Sequence, residues 1–251
     1  MSTTYKNNYL KQVIYRLDFP KINLGDFEEF KKNGDQQKYE YTLDSQKLES
    51  ITFDAVADEL SKTHENIAVW RVEDKQKGMR FEATNQYCLL EYAQYVNSTR
   101  LKEDSDTFIA TFLKTHGIEE VSRMGLRYVN QIMLPSIKKI ADWSKYISNE
   151  LLSGTAFIQS KVGAPLRYLH QVEVNSSSNS LVSVNFKYGI WNDKYPSPIT
   201  SAEYILDVDC FTRSPISVST DVESTYADLN KAAETVFEQA ILEPLRKEMN
   251  K

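Results

Sequence analysis

Arginine and aspartate pairs on strand-like segments are the residues of this chain best placed for chemistry. Arg123 and Arg127 lie on the same side of an alternating segment, where two guanidinium groups form an anion or partner site for a carboxylate or phosphate. Asp207 and Asp209 lie two residues apart on another such segment, a spacing of about 7 Å that suits a divalent cation. No histidine or further acidic residue lies nearby in the sequence to complete a metal shell. Complementary charge pairing with Arg16, Arg123 or Arg127 on neighbouring strands is the structural alternative.

A second set of polar residues resembles the core of metal-dependent nucleases. Asp54 lies upstream of Glu73 and Lys75. In such nucleases, an acidic residue followed by Glu-x-Lys on a strand holds the metal with its carboxylates, and the lysine steadies the nucleophile. Here a helix is predicted over Asp54–Ser61, and Lys75 falls in a Lys-Gln-Lys-Gly turn, which favours a charged hairpin tip. A metal-dependent nuclease or other hydrolase is therefore the alternative function.

No cluster of catalytic residues stands out elsewhere in the sequence. The three histidines, His64, His116 and His170, are far apart in the sequence, and the chain has no Gly-x-Ser-x-Gly elbow, Walker A loop or dinucleotide-binding Gly-x-Gly-x-x-Gly motif. Asn130 lies on the apolar side of its strand, so it is predicted to be a buried amide that bonds neighbouring backbone groups, or else part of the binding site. The sequence predicts no catalytic residue and no cofactor, and it favours a protein that is not an enzyme.

Strands with one apolar and one polar side are predicted to carry these residues. In the first half, Val13, Tyr15 and Leu17 alternate with polar residues, the period-two pattern of a sheet with one buried side. The strands predicted there are Tyr9–Phe19, Ile67–Asp74, Met79–Ala83, Gln86–Gln94 and Ile118–Leu134. Helices are predicted over Asp26–Lys32, over Asp54–Ser61, and from Asp104 or Ser105 up to Gly117.

The second half is predicted to be a three-strand meander followed by a long helix. The meander strands are Leu166–Val174, Leu181–Trp191 and Ala202–Arg213, and each has one apolar and one polar side. The helix runs from Thr225 to Met249 and covers the apolar side of the meander. A kink or restart is predicted at Pro244, because proline lacks a backbone N–H.

These elements predict an α+β fold made of two related halves, residues 1–140 and 141–251, each an antiparallel sheet covered on one face by helices. The stretch Pro135–Pro165 is the predicted boundary, with a helical pattern near Trp143–Leu152 and a strand around Phe157–Val162. A short echo, Tyr-Leu-Lys-Gln-Val at 9–13 and Tyr-Leu-His-Gln-Val at 168–172, agrees with a duplication.

Composition limits the classes of function. Of the 251 residues, 41% are hydrophobic and 26% are charged, which is typical of a globular protein. The formal net charge of -5 argues against generic binding to nucleic acid or anionic lipid. The two cysteines provide neither a disulfide framework nor a metal-site spacing. Because the segment from Met1 to Leu10 lacks the apolar core of a signal peptide and no apolar run is long enough to span a bilayer, a cytoplasmic protein without membrane contact is expected.

Two segments resemble a known protein family. Arg123–Ile132 reads Arg-Met-Gly-Leu-Arg-Tyr-Val-Asn-Gln-Ile and resembles the R-x-G-L-R-Y-x-N-x-I strand of a sporadically distributed prokaryotic family that has no assigned biochemical activity. Phe237–Arg246 resembles the F-E-x-x-I-x-x-x-L-R helix that closes the same family. With the opening strand and the Tyr204–Asp209 strand, which are similar in type and position, the resemblance spans nearly the whole chain. The family's patchy distribution among genomes implies mobile or defence-associated genes, and it offers no established catalytic residues.

The sequence therefore predicts a non-catalytic binding or assembly protein, in a prokaryotic defence or stress system such as antiviral defence. Its recognition surface is expected to be a polar sheet face that includes Arg16, Arg123, Arg127, Asp207 and Asp209. The expected partner is another protein or a second copy of the chain, and nucleic acid is not expected. A chaperone-like peptide binder is a further alternative to the nuclease, because exposed sheets can hold extended peptides.

Overall fold

A nine-stranded antiparallel sheet forms the centre of the protein, in a computed structural model that describes residues 5–54, 59–74, 76, 78–95, 97–154, 161–163, 165–176, 179–192, 194–197 and 203–251. For residues 48–54 and 59–64 only the backbone is described. The strands are β1 (Leu10–Asp18), β2 (Glu40–Asp54), β3 (Glu59–Asp74), β4 (Met79–Ala83), β5 (Tyr87–Tyr92), β6 (Glu120–Val121), β7 (Arg123–Ile132), β8 (Tyr168–Asn175), β9 (Val182–Trp191), β10 (Glu203–Thr212) and β11 (Ile216–Ser217).

The strand order in the sheet is β2-β3-β4-β5-β1-β7-β10-β9-β8, and every neighbouring pair is antiparallel. β6 and β11 pair separately as a short ribbon. The predicted α+β class with an antiparallel sheet is therefore confirmed. The two predicted halves do not have separate sheets, because β7 of the first half pairs along its length with β10 of the second. Such pairing satisfies the backbone groups that β7 would otherwise leave exposed at an edge.

Alternating side chains give the sheet two different faces. On β1, Val13, Tyr15 and Leu17 are at most 1% exposed, whereas the residues between them remain partly exposed. The strand register places Leu90 of β5 and Leu126 of β7 directly beside Tyr15, so their side chains share its side of the sheet. The main core lies on this side, which we call the helix face, and we call the opposite side the open face.

The helices pack on the helix face. They are α1 (Phe27–Lys32), α2 (Ser98–Asp104), α3 (Thr111–Thr115), α4 (Val222–Ala240) and α5 (Glu243–Met249), with a π-helical segment, Ser105–Ala110, joining α2 to α3. The ring of Tyr15 lies 5.3 Å from that of Tyr226 on α4, and the ring of Phe81 on β4 lies 6.0 Å from that of Phe112 on α3. α1 packs on the same side, with Phe27 5.8 Å from Trp70 of β3. In the described part of the chain, the sheet is thus covered by helices on one face.

The end of the chain follows the prediction made from Pro244. α4 ends at Ala240, Ile241 has extended backbone, and α5 begins at Glu243 with the proline in its first turn. Proline is tolerated there because the first backbone N–H groups of a helix have no partner within the helix. The predicted single helix from Thr225 to Met249 is therefore two helices with a break between them.

Several predicted elements differ in the structure. The helix predicted over Asp54–Ser61 is wrong where it is described, because β2 ends at Asp54 and β3 begins at Glu59, while residues 55–58 lie outside the described residues. β2 itself has no counterpart in the prediction, because its largely polar sequence does not indicate a strand. Most of the strand predicted around Phe157–Val162 also lies outside the described residues. The helical pattern near Trp143–Leu152 corresponds to two 3-10 segments, Ile140–Lys145 and Asn149–Leu151.

A second, smaller core lies beneath the last helices. Trp143, from the first 3-10 segment, is fully buried, and its ring lies 5.3 Å from that of Tyr204 on β10. Ile132 of β7 and Leu245 of α5 are buried in the same cluster. This core joins residues 134–152 to the end of the sheet where β7, β10 and α5 meet. None of the helices in the described part of the chain is long and apolar enough to cross a membrane.

Candidate functional site

The five charged residues of the predicted recognition surface lie together on the open face, near the centre of the sheet, and Asp18 joins them. Arg16 and Asp18 lie on β1, Arg123 and Arg127 on β7, and Asp207 and Asp209 on β10, and these three strands are neighbours. We call these six residues the charge row. Three arginines and three aspartates make the row neutral as a whole, so its chemistry depends on how the charges are paired.

Arg127 and Asp207 form the most buried pair of the charge row. The guanidinium Nε and Nη2 of Arg127 each donate to a different carboxylate oxygen of Asp207, both at 2.7 Å. This two-point geometry is the strongest form of Arg–carboxylate contact. The side chain of Asp207 is only 8% exposed and that of Arg127 is 37% exposed. The hydrogen bond to Asp207 raises the pKa of Arg127. The pair holds the guanidinium plane in one orientation at the surface.

Arg123 connects two strands of the charge row. Its guanidinium nitrogens lie 3.6 Å from a carboxylate oxygen of Asp18 and 3.6 Å from one of Asp209, and its Cζ lies 4.6 Å from the centre of the Phe211 ring. Gly125 beside it gives the guanidinium room, because a Cβ at that position would lie 2.9 Å from Nη1 of Arg123. The glycine thus leaves space for the guanidinium in its observed position, and its backbone angle is not of the left-handed kind that favours glycine.

The row continues to β1. Arg16 donates to Asp18 at 2.6 Å and also lies over the ring of Tyr87, with its Cζ 4.0 Å from the ring centre. The cross-strand pairing expected as the alternative to a metal site therefore holds for Arg123 with Asp209 and for Arg127 with Asp207. It does not hold for Arg16, whose aspartate lies on the same strand. The two β7 arginines do not converge on one anion, since four residues along a strand span about 13 Å. Each of them already has its own carboxylate.

The cation site suggested by Asp207 and Asp209 has a different use in the structure. Asp207 is held by Arg127, and Asp209 faces Arg123. Among the described residues, no group of three or more His, Cys, Asp or Glu side chains is arranged to hold a metal ion. The two carboxylates thus serve arginine pairing between β7 and β10.

The pKa of Asp209 is raised, so this residue makes the stability of the protein depend on pH. Burial raises its pKa, and the opposing influence of Arg123 and Arg127 offsets this only in part. Because the folded protein holds the proton more tightly than the unfolded chain, this group adds stability below the unfolded pKa of about 3.9, and that contribution is lost as the pH rises through the raised folded pKa.

We therefore expect Asp209→Asn to be more stable relative to the wild type at neutral pH than at pH values near 4. The amide resembles the protonated acid and has no charge to desolvate. Urea unfolding of both proteins over this pH range measures the difference. An identical pH dependence of the two unfolding free energies would show that Asp209 is fully compensated by its arginines.

Arginine–acid pairs also occur on the open face of β3, β4 and β5. Arg71 of β3 donates to Glu82 of β4 at 2.9 Å, and the hydroxyl of Tyr87 donates to the same carboxylate at 2.7 Å. Arg80 contacts Glu91 in the same manner. These pairs place arginines, acids and aromatic rings side by side over the β3, β4 and β5 strands, so the open face has a fixed polar pattern well beyond the charge row.

Asn130 lies on the other side of the sheet, as its position on the apolar side of β7 predicts. It is 4% exposed, and its Nδ2 donates to the carbonyl of Leu206 at 3.4 Å. The expectation of a buried amide that bonds the neighbouring backbone is therefore confirmed. Asn130 does not belong to the surface that includes the charge row, because the sheet separates them.

A cleft that the sequence did not indicate opens beside Asn130. It has a volume of about 130 Å³ and lies between α4 and the start of α2. Tyr128 lines it and donates to Oδ1 of Asn230 at 2.8 Å, and its ring lies 5.9 Å from that of Tyr95. Burial raises the pKa of Tyr95 to about 12, so this hydroxyl stays protonated at neutral pH. The lining residues come from segments that are far apart in the sequence. The one feature of the sequence that could have indicated the cleft is the presence of asparagines, such as Asn130, at positions that face inward.

The residues of the alternative nuclease set are not brought together. Glu73 pairs with Glu40 at one end of the β2–β3 hairpin, whereas Asp54 pairs with Glu59 at the other. At a rise of about 3.3 Å per residue these ends are about 45 Å apart. Lys75 lies outside the described residues. Asp54 and Glu73 are therefore too far apart to share one metal ion.

No protein-family model, no curated protein and no solved structure matches the chain. The family resemblance of Arg123–Ile132 therefore stays a prediction. The structure does give the segment physical roles, since Arg123, Gly125 and Arg127 belong to the open face and Asn130 to the helix face.

Proposed function

We propose that the protein is a non-catalytic binding or assembly protein that docks a protein partner on its open face. The observation that carries this proposal is that the described helices cover one face of a nine-stranded sheet and leave the other, with its charge row, accessible. Arginine and aromatic residues are enriched where proteins bind each other. The stacked pairs Arg16–Tyr87 and Arg123–Phe211 supply both types on this face.

The pairing of the charges supports docking in a specific way. Arg127 is already fixed by Asp207 on one side, so a partner that contacts its exposed edge does not have to immobilise a free side chain. Immobilising such a side chain otherwise opposes binding by about 0.5–1.5 kcal/mol. A pattern of alternating charge also discriminates among partners, because a wrong partner places like charges together.

The resemblance of Arg123–Ile132 and Phe237–Arg246 to a patchily distributed prokaryotic family supports a place in a defence or stress system.

We also propose that the two halves are related. Outward from the central β1–β7 pair, β5, β4 and β3 follow on one side and β10, β9 and β8 on the other. Each series is a meander whose last strand pairs with one strand of the central pair, β5 with β1 and β10 with β7, although β7 itself belongs to residues 1–140. Each half then continues into helices on the helix face. The common order supports a duplication.

Exchanging the charges of the central pair tests the docking surface. In a protein with Arg127→Asp and Asp207→Arg, the pair can still form, but the charge pattern of the open face is reversed locally. We expect recovery of the cognate partner in a tagged pull-down, with identification by mass spectrometry, to fall by about tenfold or more, which corresponds to about 1.4 kcal/mol.

A matched control exchanges an exposed pair on the helices of the opposite face, Lys102→Glu with Glu223→Lys, whose Nζ and Oε1 atoms lie 2.5 Å apart in the wild type. This variant should retain every partner. If the Arg127/Asp207 exchange variant folds and recovers all partners at the level of the control, the open face is not the docking surface.

A further inference from the structure

The outermost strand of the second half, β8, is an unusually exposed edge. Its apolar residues Leu169, Val172 and Val174 are 41%, 47% and 51% exposed. His170, which its apolar neighbours suggest is a core residue, is exposed as well, because β8 lies at the end of the sheet. Edge strands of monomeric proteins are usually protected by lysine, proline or a bulge. The segment Tyr168–Asn175 contains neither lysine nor proline, and its pairing with β9 has no register shift.

The backbone of β8 has hydrogen-bonding groups directed away from the sheet. Ser176 N–H donates to the carbonyl of Val182 and so continues the β8–β9 ladder beyond Asn175. In an antiparallel ladder the bonded residues alternate, so the even-numbered residues of β8 bond to β9. The N–H and C=O groups of Leu169, Gln171, Glu173 and Asn175 therefore point outward. Among the described strands, none lies beside that edge.

The opposite end of the sheet shows how such an edge can be covered. Counted outward from the β1–β7 pair, β8 holds the same position as β3. The outer edge of β3 is covered by a further antiparallel strand, β2, through a continuous ladder from Glu40 to Asp54. We propose that the outer edge of β8 pairs with β8 of a second copy of the chain, which forms a dimer with one continuous sheet.

Symmetry and side-chain chemistry select the register of this pairing. A two-fold axis perpendicular to the sheet keeps the two faces of both copies aligned, so residues of the same parity lie opposite each other. With the axis at Val172, that valine packs on its own copy, and Gln171 lies opposite Glu173. The amide of Gln171 can donate to the carboxylate of Glu173 twice, once on each side of the axis.

This register also uses the outward backbone groups. The hydrogen-bonded pairs are Gln171 with Glu173 and Leu169 with Asn175, each occurring twice, and these are the residues whose N–H and C=O groups point outward. A shift of one copy by two residues in one direction places the apolar Leu169 opposite the carboxylate of Glu173 and loses the valine pair. The same shift in the other direction places the two Glu173 carboxylates opposite each other, which is repulsive. The strand is thus self-complementary in one register, which a chance partner sequence would not match.

Sedimentation-velocity ultracentrifugation over a concentration series tests the proposal. The wild-type chain should sediment as a dimer that dissociates on dilution. Val172→Lys should remain monomeric at concentrations where the wild type is dimeric, because two like-charged lysines whose Cβ atoms lie about 5 Å apart would repel each other. Leu43→Lys, at a site on β2 that is 56% exposed, is the matched control and should leave the dimer unchanged.

Mixing variants tests the register itself. Because residue 172 lies opposite residue 172 of the other copy, neither Val172→Lys nor Val172→Glu should form a homodimer efficiently. An equimolar mixture of the two variants should form a heterodimer. A wild-type chain that stays monomeric at every concentration overturns the proposal. A Val172→Lys protein that dimerises like the wild type does so too, and a mixture that stays monomeric overturns the register.

Discussion

Trp143→Ala is expected to lower the free energy of unfolding by about 3–5 kcal/mol, the range observed for removing a large aromatic side chain from a core. The indole is fully buried, and it packs on Tyr204 of β10 and on Tyr146, whose ring centre lies 6.3 Å away. It belongs to the smaller core, together with Ile132 and Leu245. Because a domain is stable by about 5–15 kcal/mol in total, this loss is large enough to unfold a marginal protein.

Urea unfolding monitored by circular dichroism measures the effect without relying on tryptophan fluorescence. Trp191→Ala is the control, since that indole is 42% exposed and surface substitutions usually change stability by less than about 0.5 kcal/mol. Similar losses for the two variants would show that the 3-10 segment carrying Trp143 does not depend on the smaller core.

Trp143→Phe separates packing from hydrogen bonding at the same position. Among the described residues, none accepts a hydrogen bond from the buried Nε1 of Trp143. An unpaired buried donor opposes folding by about 1–3 kcal/mol, and phenylalanine has no such donor. We therefore expect Trp143→Phe to lose less than half of the stability that Trp143→Ala loses.

The parts of the fold that were predicted correctly are those in which burial and sequence period agree. Val13, Tyr15 and Leu17 identify β1 because one side of that strand is fully buried and the other is not. β2 was missed for the opposite reason. It is an edge strand of mixed polar sequence, and its pairing with β3 is a tertiary fact that local sequence does not express.

The same limit explains the outcome for the candidate site. Alternation alone placed Arg123 and Arg127 on one side of β7 and Asp207 and Asp209 on one side of β10, and both placements hold. Which arginine meets which aspartate depends on the register between two strands about eighty residues apart, which no local pattern determines. The cleft beside Asn130 was missed because its walls come together only when α2 and α4 pack on the sheet.

Arg127→Ala is expected to lower the free energy of unfolding by about 1–3 kcal/mol. The side chain of Asp207 is only 8% exposed, and the substitution removes the guanidinium that pairs with its carboxylate. Arg16→Ala is the comparison within the charge row. The pair of Arg16 with Asp18 is more exposed, at 39% and 23%, and such surface pairs contribute about 0–1 kcal/mol. The two variants remove the same side chain from neighbouring strands, so burial of the acid is the main difference between them.

The double variant Arg127→Met with Asp207→Leu shows why the loss arises. Replacing both members of a buried ion pair by apolar residues of similar size is often neutral for stability, whereas removing one member leaves a buried charge. We therefore expect the double variant to be more stable than Arg127→Ala in urea unfolding. If the open face docks a partner as proposed, the double variant should bind that partner as poorly as Arg127→Ala does. If the double variant loses as much stability as the single one, the pair stabilises the β7–β10 contact by its own attraction. Stability that recovers while binding does not would instead indicate that these charges are retained for recognition.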